Sequence, residues 1–177
     1  GNVSAWNPQI TGTVVNSLYL YNDLLFIGGG FTKVGDSARN RIAAIDVNTA
    51  QANSFDYDLN NQVYTIAIDH DTLFIGGLFT TINGKNRQRI AAIGLIQDSL
   101  LQWAPNANSR VSKILVKGDT VFVGGLFSTI AGNSISGFAA VDRINANLIN
   151  WGERELQGGF IYSLNLEGNE LYMGGNF

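Results

Sequence analysis

The chain has 177 residues, of which 45% are apolar and 14% charged, and its net charge is −3. Such a composition belongs to one globular domain rather than a disordered chain, and it offers no basic field for nucleic acid or an anionic membrane. Cysteine is absent, which excludes disulfides and thiolate metal sites, and no apolar run approaches the ~20 residues of a membrane-spanning helix.

Taken in order, residues 1–14 read as the end of a preceding repeat, because Trp6-Asn7-Pro8 matches Trp103-Ala104-Pro105. A strand is expected at Val15–Tyr21, with equivalents at Val63–Asp69, Val111–Lys117 and Ile161–Glu167. Leu18 and Leu20 correspond to Ile66 and Ile68, Ile114 and Val116, and Leu164 and Leu166. The alternate positions just before them are Ser17, Thr65, Lys113 and Ser163, and this period-two alternation marks a half-buried strand. Asn22-Asp23, His70-Asp71, Gly118-Asp119 and Gly168-Asn169 then supply two-residue turns, using residue types that tolerate positive φ.

The returning strand carries the strongest signal: LFIGGGF at 25–31, LFIGGLF at 73–79, VFVGGLF at 121–127 and LYMGGNF at 171–177. It is apolar on both faces, as in a sheet covered on both sides. The glycine pair is a poor strand interior, so its expected use is steric: close approach of neighbouring backbone, or a bulge. Phe31, Phe79, Phe127 and Phe177 are expected to anchor the core. Polar loops follow, GDSARNR at 35–41, NGKNRQR at 83–89 and AGNSISG at 131–137. The third strand is IAAI at 42–45 and 90–93, and FAAV at 138–141. A fourth strand ends in Phe55, Trp103 and Trp151, a natural plug between repeats.

The recurrence at about 48 residues with no helical period points to an all-β fold. It reads as a β-propeller of four-stranded antiparallel blades, with blades at 15–62, 63–110 and 111–160. Residues 1–14 end a preceding blade and 161–177 make a half blade. That is about three and a half blades of a larger ring, completed by further blades of the same chain or by a second copy. A start at Gly1 and a stop at Phe177 midway through a repeat fit a cut from a longer polypeptide.

The units LFIGGGF with RNRIAAID at 39–46, LFIGGLF with RQRIAAIG at 87–94, and LQWAPNANSRV at 101–111 resemble the delta-60 repeat β-propeller family. Their strand-GG pattern with a later tryptophan is also similar to kelch repeats, and AAIDVNTAQANSF resembles a segment of quinoprotein propellers. The delta-60 resemblance implies a module of large secreted or surface-exposed bacterial proteins that binds other molecules. Phe55, Gly94 and Gly137 depart from its tryptophan, aspartate and arginine.

No catalytic constellation emerges. His70, the single histidine, occupies a turn position, and a Ser-His-Asp arrangement would have to run through it. Asp56-Tyr57-Asp58 and Asp69-His70-Asp71 lack the spacing and glycine of a calcium loop. Asp46 and Asp142 are expected to cap turns. The expected function is a non-enzymatic interaction module, without cofactor or metal, that takes a protein or glycan at its loops. Lys33, Arg39, Arg41, Lys85, Arg87 and Arg89 form the candidate rim for an acidic protein or anionic glycan. The alternatives are part of a propeller enzyme whose catalytic residues lie elsewhere, and a spacer in a surface adhesin.

Overall fold

The computed structural model describes residues 6–151 and 159–177. Residues 1–5 of the expected leading segment and 152–158 of the third expected repeat lie outside the described residues. Among the described residues the fold is all-β, built from antiparallel sheets with no helix.

In the first repeat β1 (Ile10–Tyr21) forms a hairpin with β2 (Leu24–Val34). β3 (Ser37–Ala38) pairs with the end of β2, and β4 (Ile42–Asp46) with its beginning. The second repeat contains β5 (Val63–Asp69), β6 (Thr72–Gly77), the small hairpin β7 (Thr81–Ile82) and β8 (Lys85–Asn86), then β9 (Ile90–Gly94) and β10 (Ser99–Leu100). Its sheet runs β10-β9-β6-β5. The third repeats this with β11 (Val111–Lys117), β12 (Thr120–Gly125), β13 (Thr129–Ile130), β14 (Asn133–Ser134) and β15 (Phe138–Asp142). The last hairpin is β16 (Phe160–Glu167) with β17 (Glu170–Asn176).

The first residue of each connecting turn has the expected positive φ: 53° at Asn22, 50° at His70, 55° at Gly118 and 58° at Gly168. The expected fourth strand is much reduced. It is a two-residue strand in the second repeat and a single bridge in the others, Ile45 to Ala52 and Val141 to Leu148. An outermost strand has one neighbour, and only that side can hold it. The aromatic beyond it is nonetheless fixed. Phe55 meets Phe26, Trp103 meets Phe74 and Trp151 meets Phe122, edge to face at 5.4, 5.1 and 4.9 Å between ring centroids. Trp103 also donates from Nε1 to the Asp142 carbonyl of the next repeat, at 2.9 Å. One side chain thus closes its own sheet and ties it to its neighbour.

Successive sheets stack through their first strands, β1 on β5, β5 on β11 and β11 on β16. The glycine pair makes this possible, and its two members do different work. A Cβ on Gly28, Gly76 or Gly124 would sit 2.5 Å from a γ-carbon of Val63, Val111 or Ile161, at the start of the next first strand. A Cβ on Gly29, Gly77 or Gly125 would sit 2.1–2.2 Å from the carbonyl oxygen of Val14, Gln62 or Arg110, the residue just before Val15, Val63 or Val111. There the first strand bulges, with register shifts at Val15/Ser17, Val63/Thr65 and Val111/Lys113. Close approach and bulge are therefore both present, one glycine for each.

Each first strand is also an edge strand, so its outward backbone groups need partners. The preceding repeat supplies them. Ser17 Oγ accepts from the Ile66 N–H at 3.0 Å, and Thr65 Oγ1 accepts from the Ile114 N–H at 3.1 Å. Asn16 and Tyr19 donate to the carbonyls of Val63 and Ile68. Lys113 occupies the hydroxyl position of the third repeat and has no acceptor to offer. In that repeat Lys117 donates instead to the Gly168 carbonyl and to Asn169. Thr65 is the one buried polar side chain among the described residues. Thr65→Val keeps its shape but leaves the Ile114 N–H unpaired, and is expected to cost about 1–3 kcal/mol. Thr65→Ser, which keeps the oxygen, should cost less, with urea midpoints as the measurement.

The two end faces of the stack break the expected pattern. Leu18 and Leu20 are 61% and 62% exposed, whereas Ile66 and Ile68 are 5% and 6% exposed. The interior residues lie over the second strand of the preceding repeat, and β1 has none. At the other end, the expected core anchor Phe177 is exposed, and Tyr172 is 51% exposed where Phe26, Phe74 and Phe122 are buried.

Candidate interaction surface

The loops after the glycine pairs share one pairing, a short hairpin closed by a two-residue turn. Lys33 pairs with Ala38 and Val34 with Ser37. Ile82 pairs with Lys85, and Ile130 with Asn133. Both turn residues have positive φ in the second and third loops, Asn83-Gly84 and Ala131-Gly132, whereas in the first only Gly35 does. What the tips display differs: Gly35-Asp36-Ser37 in the first, Asn83-Gly84-Lys85 in the second and Ala131-Gly132-Asn133 in the third.

The six candidate cations fall at these positions in the first two repeats, where the sheets are neighbours. Four of them are engaged within their own repeats. Arg39 donates to the carbonyls of Ala38 (2.7 Å) and Asn53 (2.6 Å), and Arg87 to those of Asn86 (2.8 Å) and Leu101 (2.7 Å). Arg41 reaches the carbonyls of Gly30 (3.3 Å) and Phe31 (2.9 Å), and Arg89 those of Leu78 (2.7 Å) and Phe79 (3.3 Å). The backbone of Arg41 and Arg89 carries φ of 72° and 68°, a strained region for a bulky residue. Gly137 fills the same position in the third repeat at φ 75°. Arginine there trades backbone strain for two carbonyl bonds, and glycine avoids the strain and forgoes the bonds.

Acidic side chains answer part of the remaining charge. Asp56 lies 3.4 Å from Arg39, and Asp36 lies 3.6 Å from Lys33. Lys85 is exposed and has no ion pair among the described residues. The edge is therefore of mixed charge, with Lys33 and Lys85 as its exposed cations.

Two grooves border Asp98 where the first and second repeats meet. One, about 320 Å³, is lined by Tyr21, Asn53, Asp71, Ile96 and Asp98 among others. The other, about 340 Å³, reaches Asp56, Tyr57, Asn83 and Lys85. Tyr57 donates to Asp98 at 3.1 Å. Burial, reinforced by the Asp98 charge, pushes its hydroxyl pKa up to about 12, so it remains a donor at neutral pH. Sequence reasoning passed over this corner. The available signal was the change of W-x-P at 103–105 to F-x-Y at 55–57.

The other titratable candidates are engaged as well. His70 is an exposed turn residue with Nδ1 3.0 Å from Asp69, and Asp69 pairs with Arg143 of the next repeat at 3.2 Å. Asp58 accepts from Asn40, and Asp71 from Tyr21. The Asp46 carboxylate accepts the N–H groups of Asn48 and Thr49, and Asp142 those of Ile144 and Asn145, all at 2.8–2.9 Å. These bonds, from Thr49 and Asn145 above all, hold both carboxyls below the usual aspartate range. Both residues are turn caps, as expected.

No family model and no curated protein matches the chain. Its likeness is to solved structures. The computationally designed Ika4 protein aligns over 99% of this chain and 93% of its own, with a TM-score of 0.64 at 11% identity. The computationally designed Ika8 protein aligns over 93% of this chain and 43% of its own, with a TM-score of 0.59 at 12% identity. At such identities the shared property is the fold. The same arrangement thus occurs in one chain of similar length and as a part of one more than twice as long.

Proposed function

We propose that the chain is part of a β-propeller of the delta-60 repeat type, and that it serves as a non-enzymatic interaction module, secreted or held at a cell surface. It takes a protein or glycan at its edge loops. The observation that carries this reading is a constant framework with variable tips. The three loops after the glycine pairs close with the same strand pairing, and their exposed side chains change from repeat to repeat. Rigid strands that present differing loops along one edge suit recognition. Likeness to a chain more than twice as long supports a stack that continues by repetition.

The cationic contribution narrows to Lys33 and Lys85, because the arginine guanidinium groups are held by carbonyls. Replacing Arg39, Arg41, Arg87 and Arg89 together would disturb the fold along with the surface. The double variant Lys33→Glu/Lys85→Glu is expected to elute from an immobilised sulfated glycan at markedly lower salt than the parent, with an unchanged circular dichroism spectrum. Identical elution would remove the cations from the reading. A glycan array and a panel of acidic peptides would then test the Tyr57–Asp98 grooves, with Asp98→Ala as the control.

A further inference from the structure

The groove between the first and second repeats lacks a cation that the next junction supplies from within the chain. We infer that it takes an arginine side chain from a basic segment, flanked by apolar residues, of a partner protein. The groove lies at an internal junction, and both of its walls belong to this chain. The turns that follow the first strands supply Asn22 and Asp71, and the turn after β9 supplies Leu95, Ile96 and Asp98. Phe26 and Phe55, packed edge to face, complete the lining. The volume of about 320 Å³ is at the small end of ligand clefts, room for a side chain rather than a folded element.

The second junction shows what this corner holds when the chain fills it. There Asp69, which ends the first strand, binds the Arg143 guanidinium at 3.2 Å through its carboxylate, and its carbonyl accepts from the same nitrogen at 3.4 Å. In the first junction Tyr21 stands in the place of Asp69, Leu95 in that of Arg143 and Asp98 in that of Ala146, while Asp71 matches Asp119. Two carboxylates remain and the arginine is gone. At the third junction Lys117 brings a cation to the Gly168 carbonyl and Asn169. The first groove is lined by two carboxylates and by no lysine or arginine.

Two tyrosines hold these carboxylates in place. Tyr21 donates to Asp71 Oδ1 and Tyr57 to Asp98 Oδ1, each at 3.1 Å. A neutral hydroxyl orients a carboxylate without cancelling its charge. Oδ2 of each has no hydrogen bond or ion pair among the described residues. A guanidinium, with five donors in a planar fork, suits two such oxygens better than an ammonium does. Beside them Ile96 is 71% exposed and, with Leu95, gives an apolar lip for the arginine stem and its neighbours. The phenyl rings of Phe26 and Phe55 are 2% and 7% exposed. They present no face on which a sugar could stack, so the lining favours a cation over a glycan. This deepens the reading of the chain as an interaction module and rests on it for the partner's being a protein. Its chemistry is opposite to that of Lys33 and Lys85.

The test titrates the end-blocked peptide Gly-Leu-Arg-Ile-Gly into the isotopically labelled 177-residue chain. The same peptide with citrulline in place of arginine is the uncharged control. The amide resonances of Asp71, Leu95 and Ile96 are expected to move and saturate, with the citrulline peptide weaker by about tenfold. Asp71→Asn and Asp98→Asn keep an acceptor for each tyrosine, so the melting temperature should hold, and each should weaken binding by about threefold or more. Leu95→Arg gives the groove the arginine of the second junction and should abolish the shifts while the fold is kept. Asp71→Asn should still elute from the sulfated glycan at the parent's salt, so loss of this site is read separately from loss of the lysine edge. Equal affinity for the citrulline peptide, binding indifferent to both asparagine variants, or the absence of saturable shifts at these three amides would each overturn the proposal. A neutral oligosaccharide that moved the same amides where the peptide did not would overturn it in favour of a glycan.

Discussion

Gly77→Ala is expected to destabilise the chain by about 3 kcal/mol, the upper end of overpacking, read as a fall in the urea midpoint. The added Cβ would lie 2.1 Å from the Gln62 carbonyl oxygen and 3.0 Å from Val63 Cα. Both are backbone, so no side-chain rotation relieves the contact. The Gln62 carbonyl also accepts from the Leu78 N–H at 2.9 Å, a bond that any retreat would stretch. Moving the bulge moves Val63, whose γ-carbon fills the notch over Gly28. Damage at one glycine therefore spreads to the junction with the preceding repeat. Gly174→Ala is the contrast: it is the first glycine of its pair, equivalent to Gly76, its nearest neighbour to a Cβ is Ser163 Cβ at 3.6 Å, and it should stay within about 0.5 kcal/mol. Equal losses at the two positions would sink the steric account of the pair.

Trp103→Ala is expected to cost about 3–5 kcal/mol, the usual range for deleting a buried aromatic. The side chain is 5% exposed, meets Phe74 edge to face and bonds the Asp142 carbonyl of the third repeat. Trp103→Phe separates the two contributions. It keeps a ring against Phe74 and removes the Nε1 bond, for a loss of about 0.5–1.5 kcal/mol from the hydrogen bond. Phe55 shows that a phenyl ring can hold this position, since it docks on Phe26 at 5.4 Å. Thermal and urea unfolding of both variants would check the ordering, and a phenylalanine variant as damaged as the alanine one would contradict it.

How far the sequence could be read differs between framework and surface. The strands at Val63–Asp69 and Val111–Lys117 stand where the alternation placed them, because period two depends on neighbours along the chain. The turns were readable for the same local reason. Asp46 and Asp142 as caps followed from carboxylates at the start of a turn, since their partners lie two and three residues ahead. The glycine pair could be read as a steric device, though without saying which glycine serves the bulge and which the neighbouring sheet.

The candidate surface was less open to such reading. Six cations near two loops look alike in a sequence, and their separation into carbonyl-bound arginines and exposed lysines depends on oxygens 10–14 residues away, such as those of Phe31 and Asn53. Asp98 reaches Tyr57 across 41 residues, a distance that no local pattern encodes.

By itself, then, the sequence determined the repeat, its strands and turns, and the all-β class, because each rests on steric and hydrogen-bonding preferences acting within a few residues. Only the tertiary structure decided which side chains are spent on holding the stack and which face water. Stacking brings the first strand of one repeat over the second strand of the one before, so Ile66 is buried while its equivalent Leu18 stays exposed on an uncovered face. A residue's burial here depends on whether a neighbouring sheet lies above it, and that is a property of the assembled layers.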